Sequence, residues 1–275
     1  MLERVRRDKV LIVLHQDHST PGRVGTLLAQ RGFALDVRRP SLGEPLPATL
    51  AEHAGAIVFG GPMSANDDHL DWVRREIDWL AVPLSEDKPL LGVCLGAQML
   101  ARHLGVRVFT YPDKRSEIGY YPITPTPDAA RLCAAPFPRH VYHWHCDGFE
   151  LPRGARLLAA SDGEFPNQAF AFGSRALALQ FHPEVTYAMI CRWTTRGDER
   201  LERPGAQPRS AHLDGWFLYD RAVALWLETM LSAWLDGALA GDEARAPTPL
   251  ERAPRGWRSA PTLEVGTGLA AASPR

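Results

Sequence analysis

One cysteine, Cys94, stands where an apolar strand must turn at once into a helix, and that turn constrains the chain more than any other feature. Pro89-Leu90-Leu91-Gly92-Val93 reads as a short buried strand. Ala97 to Leu104 reads as a helix, with Met99, Leu100 and Leu104 apolar. A strand-to-helix turn this sharp crowds its neighbours, and glycines two places before and two places after Cys94 relieve the clash. Gly92-Val93-Cys94-Leu95-Gly96 is the cysteine version of a nucleophile elbow. The elbow exposes the thiol at the carboxyl edge of a sheet, over a helix N-terminus that favours the thiolate. A buried structural cysteine is the commoner fate of a lone thiol, but it has no use for the paired glycines.

A thiolate nucleophile needs a base, and the base needs a group to orient it. Ala176-Leu177-Ala178-Leu179-Gln180-Phe181 reads as a strand that runs straight into His182-Pro183-Glu184. The proline ends the strand and keeps His182 out of helical geometry. His182 therefore sits at a strand end, with Glu184 close enough to fix its tautomer. A histidine at a turn beside a helix-capping glutamate is the alternative. A third segment, Ile57-Val58-Phe59-Gly60-Gly61-Pro62-Met63-Ser64, ends another apolar strand in two glycines and a proline. The N–H of Gly61, with that of Leu95 just after the nucleophile, would make an oxyanion hole. Alone, this motif is an ordinary Gly-Pro turn.

Taken in this order, the three motifs resemble the class I glutamine amidotransferases over roughly residues 9 to 195. The resemblance implies a flavodoxin-like α/β fold in which a Cys-His-Glu triad hydrolyses the side-chain amide of glutamine. Cys94 would be the nucleophile, His182 the general base and then acid, and Glu184 its orienter. Gly61 and Leu95 would be the oxyanion donors. Gln98 matches a position that contacts bound glutamine, and Ala97 stands where the family often has His or Met. Glu117-Ile118-Gly119 and His143-Trp144-His145-Cys146-Asp147 look most like the stand-alone, GMP synthase-like members. There His145 and Asp147 would be substrate-binding residues near the glutamine pocket.

The order of elements independently favours a doubly wound, mostly parallel sheet flanked by helices. Strands are expected at Val10–Leu14, Phe33–Val37, Ala56–Phe59 and Val106–Thr110, besides the one before Cys94. Helices are expected at Pro21–Arg31 and His69–Leu80. Ligands in such folds bind beyond the carboxyl ends of the strands, where Gly61 and Cys94 fall. From about 118 to 182 short strands replace the helices: 120–123, 139–144, 155–159 and 168–172, with Gly173-Ser174 as a hairpin turn. These would form a small antiparallel layer.

Residues 1–240 are expected to form one domain, because 275 residues with 45% hydrophobic content leave little room for a second. Residues 211–239 read as a helix rich in Trp and Leu and interrupted by charges, so not a membrane span. It either packs on the domain or forms a homodimer face. The polar 196–210 segment reads as a surface loop at the edge of the active-site entrance, and 241–275 as a disordered tail. With Lys+Arg 31 against Asp+Glu 32, no nucleic-acid surface is expected. No apolar stretch of signal-peptide length follows Met1. If Cys94 is a free thiol, Cys133, Cys146 and Cys191 cannot all pair, which suits a reducing cytoplasm.

Thiol chemistry of this kind needs no cofactor. His143, His145, Cys146 and Asp147 invite a zinc reading, but no second ligand cluster stands at a matching spacing, so no metal is expected. Cys146 lacks the glycine bracket and ranks below Cys94. Three functions follow. One is a glutaminase that passes ammonia to a separate synthetase, since the chain has no phosphate-loop motif of its own. The second is a hydrolase of γ-glutamyl peptides using the same triad. The third is a non-catalytic binding or regulatory protein, against which the intact Cys94, His182 and Glu184 stand.

Overall fold

Val10, Leu11, Ile12 and Val13 are all fully buried, because the first strand is covered by helices on both faces. The computed structural model describes residues 8–237. The expected tail at 241–275 lies outside the described residues. In chain order the elements are β1 (Lys9–Val13), α1 (Gly22–Gln30), β2 (Ala34–Arg38), β3 (His53–Val58), α2 (Asp71–Trp79), α3 (Ala81–Ser85), β4 (Leu90–Val93) and α4 (Leu95–His103). There follow β5 (Val108–Thr110), β6 (Glu117–Pro122), β7 (Thr124–Pro125), β8 (His140–His145), β9 (Asp147–Phe149), β10 (Arg156–Ala160), β11 (Asn167–Phe172) and β12 (Ala176–Leu179). The last helices are α5 (Tyr187–Arg196) and α6 (Arg209–Asp236).

The main sheet has the order β2-β1-β3-β4-β12-β11-β10-β7. Its first five strands are parallel, the doubly wound order expected of an alternating β/α chain. Strand alternation sends Val10 and Ile12 to one face and Leu11 and Val13 to the other. The first face packs on Val24 and Leu28 of α1 and on Trp226, Met230 and Trp234 of α6. The second packs on Val73 and Ile77 of α2 and on Met99 and Leu100 of α4. Helices thus cover both faces, as the sequence predicts.

The short strands divide differently from the expected single layer. β6 and β8 pair as a small antiparallel sheet, and β5 pairs with β9. β10 and β11 instead continue the main sheet antiparallel. The hairpin at Gly173-Ser174 is the reason: it returns the chain beside β11, so β12 gains a backbone partner at its free edge.

Two features go beyond the sequence reading. α5 fills a stretch given no helix, and Thr186 caps it by accepting the Met189 N–H at 3.3 Å. The 196–210 segment is a loop, but a pinned one. Pro204 O accepts from Ser116 N–H, and the Gln207 side chain bonds both the N–H and the C=O of Tyr120. On α6, Phe217 and Leu218 remain 76% and 71% exposed while the opposite face is buried. No helix among the described residues is long and apolar enough to cross a membrane.

Candidate active site

β4 is the central strand, in register with β3 on one side and β12 on the other. Its carboxyl end therefore lies between the ends of those strands. Cys94 follows β4, Gly60 and Gly61 follow β3, and His182 follows β12, all at one edge. Cys94, His182, Glu184, Gly60 and Gly61 line a common pocket.

The elbow is built as the glycines suggest. Cys94 has φ 51° and ψ −105°, in the region L side chains rarely adopt. Such a residue costs on the order of 1–3 kcal/mol, which the surrounding packing must offset. A Cβ added to Gly92 would lie 2.6 Å from Gly96 O. A Cβ added to Gly96 would collide with Val58 O of β3. Leu95 begins α4, so its N–H is one of the unpaired donors of a helix N-terminus. Gly61 lies against Leu95, since a Cβ there would reach Leu95 Cδ2 at 3.0 Å.

His182 and Glu184 are buried, and Nδ1 lies 2.8 Å from Glu184 Oε1. Burial alone would lower the imidazole pKa. The Glu184 carboxylate and then the Cys94 sulfur outweigh burial and push it up to about 10. His182 is thus held as an imidazolium beside the sulfur. Its Nε2 has no nitrogen or oxygen partner among the described residues, which leaves that edge to the Cys94 thiol. The pair is fixed through the backbone: His182 N–H donates to Tyr142 O, and Arg23 N–H of α1 donates to Glu184 O. Trp193 of α5 stands edge-on to the imidazole at 5.1 Å. All four cysteines are free. Burial raises the Cys146 thiol, and Asp147 beside it adds to the rise, so this rival is held as the unreactive thiol.

Gln98, His145 and Asp147 are brought together, but not onto the pocket wall. Asp147 O accepts from Gln98 Nε2 and from His145 Nδ1, both at 3.0 Å. Its carboxylate accepts from Ser64 Oγ at 2.6 Å and Thr110 Oγ1 at 2.5 Å. The knot ties the Gly60-Gly61-Pro62-Met63-Ser64 loop to α4, beneath the site.

Two buried groupings were not legible by spacing. His15 Nε2 lies 2.9 Å from Glu76 Oε1, and Nδ1 lies 3.1 Å from Gly60 O. Burial opposes a charge on His15, but Glu76 outweighs it and raises the imidazole. Charged, it donates from both nitrogens and so clamps the Gly60 carbonyl. The second grouping is Glu117, His143 and His145, whose ligand-type atoms lie within 4.8 Å of one another. Glu117 supplies the third donor that the spacing argument lacked, because it faces His145 across β6 and β8. Protons and amides also account for the contacts. Burial pushes His143 down to about 3, so it is neutral, and Gln168 Nε2 donates to Glu117 Oε2.

Gly60 gives a direct test of the thiol–imidazole geometry. A Cβ there would lie 2.8 Å from His182 Cε1 and 3.4 Å from Cys94 Cβ. Gly60→Ala is expected to push the imidazole off the sulfur and slow Cys94 alkylation by iodoacetamide about tenfold. The urea midpoint should move little. Wild-type alkylation would show that the gap at Gly60 is not needed.

The family model for glutamine amidotransferase class-I matches residues 25–189. A glutamine amidotransferase-like protein of Salmonella typhimurium, YfeJ, is 31% identical over 189 residues, covering 66% of this chain and 78% of that protein. A glutamine-hydrolysing GMP synthase of Aeropyrum pernix is 33% identical over 172 residues, covering 60% of this chain but 31% of its own length. Among solved structures, a glutamine amidotransferase of Methylobacillus flagellatus superposes with a TM-score of 0.77 at 28% identity. The match covers 84% of this chain and 95% of that one. One from Thermotoga maritima gives 0.72 at 28% identity, covering 85% and 98%.

Proposed function

The chain belongs to the class I glutamine amidotransferases, and on that footing we propose that it hydrolyses the γ-amide of L-glutamine through a Cys94 thioester. One observation carries the reading. A buried cysteine at a left-handed φ shares a pocket with an imidazolium held by a carboxylate 2.8 Å away. Cys94 attacks the γ-carbon, and the N–H groups of Gly61 and Leu95 take the charge that develops on oxygen. His182 gives its proton to the departing ammonia. It then takes one from the water that cleaves the thioester, releasing glutamate. Glu184 keeps the imidazole in one orientation through both steps. Gln98, His145 and Asp147 act by holding the oxyanion loop against α4.

In this reading the ammonia passes to an acceptor site outside the matched residues 25–189. The Aeropyrum synthase that hydrolyses glutamine is about three times as long as the part this chain matches. The test is direct. The purified protein given L-glutamine is expected to release glutamate and ammonia in equal amounts, and one equivalent of thiol alkylated at Cys94 should stop it. No glutamate, with or without a co-purifying synthetase, would overturn the proposal.

A further inference from the structure

α5 follows His182-Pro183-Glu184 closely, so its inner face is aimed at the same pocket. Residues three and four apart share a helix face. Met189, Arg192, Trp193 and Arg196 have that spacing, and all four line the Cys94 pocket. Trp193 is the residue that touches the His182 ring. Arg192 and Arg196 lie one turn apart beside it. The turn after α5 adds Arg200 and Glu199, which face each other at 3.7 Å.

The charges on this wall do not cancel. Glu199 answers Arg200, and Glu184 is committed to His182. Among the described residues, neither Arg192 nor Arg196 has an ion pair or a side-chain hydrogen bond. Two arginines without a carboxylate partner therefore line the pocket. L-Glutamine is a zwitterion, with one carboxylate, one ammonium and no net charge. A γ-glutamyl peptide carries the same two groups and a second carboxylate on its leaving amine. Guanidinium pairs with carboxylate through two parallel hydrogen bonds, so each arginine can take one.

We infer that Arg192 and Arg196 discriminate among γ-glutamyl donors, favouring a leaving amine that bears a free carboxylate over the same amine with its carboxylate capped. The inference rests on the thioester reading above. The step is balanced: Cys94 Sγ forms a bond to the γ-carbon, and the C–N bond breaks. The leaving amine takes the His182 proton, and water converts the thioester to glutamate. The net reaction adds one water and needs no other reactant.

The experiment compares γ-glutamylglycine with γ-glutamylglycinamide, which differ only in the terminal charge. Binding is measured by titration calorimetry on the full chain carrying Cys94→Ala, and turnover on the wild type. The acid is expected to bind and turn over on the order of tenfold better than the amide. Salt should erode the ratio, because the arginines are partly open to solvent. Arg192→Gln with Arg196→Gln should bring the ratio close to one, with an unchanged circular dichroism spectrum. The matching lysine variants should keep part of it. Equal binding of acid and amide, or a ratio that survives the double glutamine variant, would overturn the inference. If the acid binds better but neither compound is cleaved, the arginine wall stands and the thioester reading fails. Cleavage of both without preference has the opposite meaning.

Discussion

His182→Ala is expected to lower glutamine turnover by about four orders of magnitude, and adding Cys94→Ala to it should make little further difference. In the proposed mechanism the two side chains act as one unit. Without the imidazole the thiol has nothing to receive its proton, and the leaving ammonia has no donor. Without the thiol the imidazole has nothing to activate. Steady-state glutamate release from the two single variants and the double variant checks this. A His182→Ala enzyme that keeps a tenth of wild-type turnover would place the base elsewhere.

The same pair sets the pH profile. In the proposed mechanism His182 must be protonated to serve the leaving group, and its pKa is pushed up to about 10 by Glu184 and Cys94 against the opposing effect of burial. Activity should therefore hold through neutral pH and fall as pH rises through about 10. The limb reports the coupled thiol and imidazole, not one residue alone. Glu184→Gln removes the carboxylate that favours the imidazolium. The alkaline limb should then move to lower pH, by about one unit or more. A limb that stays in place would mean that Glu184 orients the ring without stabilising its charge.

What could be read from the sequence follows from how each residue is placed. Cys94, Gly61 and His182 each lie within three residues of a strand end, marked by glycine or proline. Local chemistry therefore announces them. The alternating β/α pattern then puts those strand ends on one edge, and the sheet order makes them neighbours. Glu117 is different. It meets His145 only through the register of β6 on β8, which no spacing within one segment encodes. His15 and Glu76 are 61 positions apart and meet because β1 and α2 pack on the same face. α5 had a weak signal, a Thr cap followed by Met189, Ile190 and Trp193, next to polar residues that hid its apolar face. Missing the helix meant missing that Arg192 and Arg196 share a pocket with Cys94. The substrate roles implied for Gln98, His145 and Asp147 came from resemblance. The reason they hydrogen-bond each other is local: one carbonyl, Asp147 O, accepts from both of the other two.

Gly96→Ala is the substitution with the largest expected effect on the fold. In most helices it would help, because alanine is favoured over glycine by about 1 kcal/mol. Here the sign reverses. The added Cβ would strike Val58 O and come within 2.9 Å of Val58 Cγ1. The oxygen belongs to β3, one of the two strands between which β4 is laid. A backbone atom in a central sheet cannot rotate away as a side-chain end can. Relief must come from lifting α4 off β3 or from relaxing the strained turn at Cys94, and either one dismantles the elbow. Overpacking of this kind costs on the order of 1–3 kcal/mol beyond the propensity gain it cancels. For a domain of this size that is a melting temperature lower by roughly 2–12 °C. Cys94 alkylation should slow in the same variant, because a relaxed turn withdraws the sulfur from the helix N-terminus and from His182. Gly92→Ala should behave alike, since its Cβ would meet the Gly96 carbonyl at 2.6 Å. If Gly96→Ala melts with the wild type and its thiol reacts as fast, the glycines do not bracket the nucleophile for steric reasons. The reading of Cys94 as an elbow residue would then lose its physical basis.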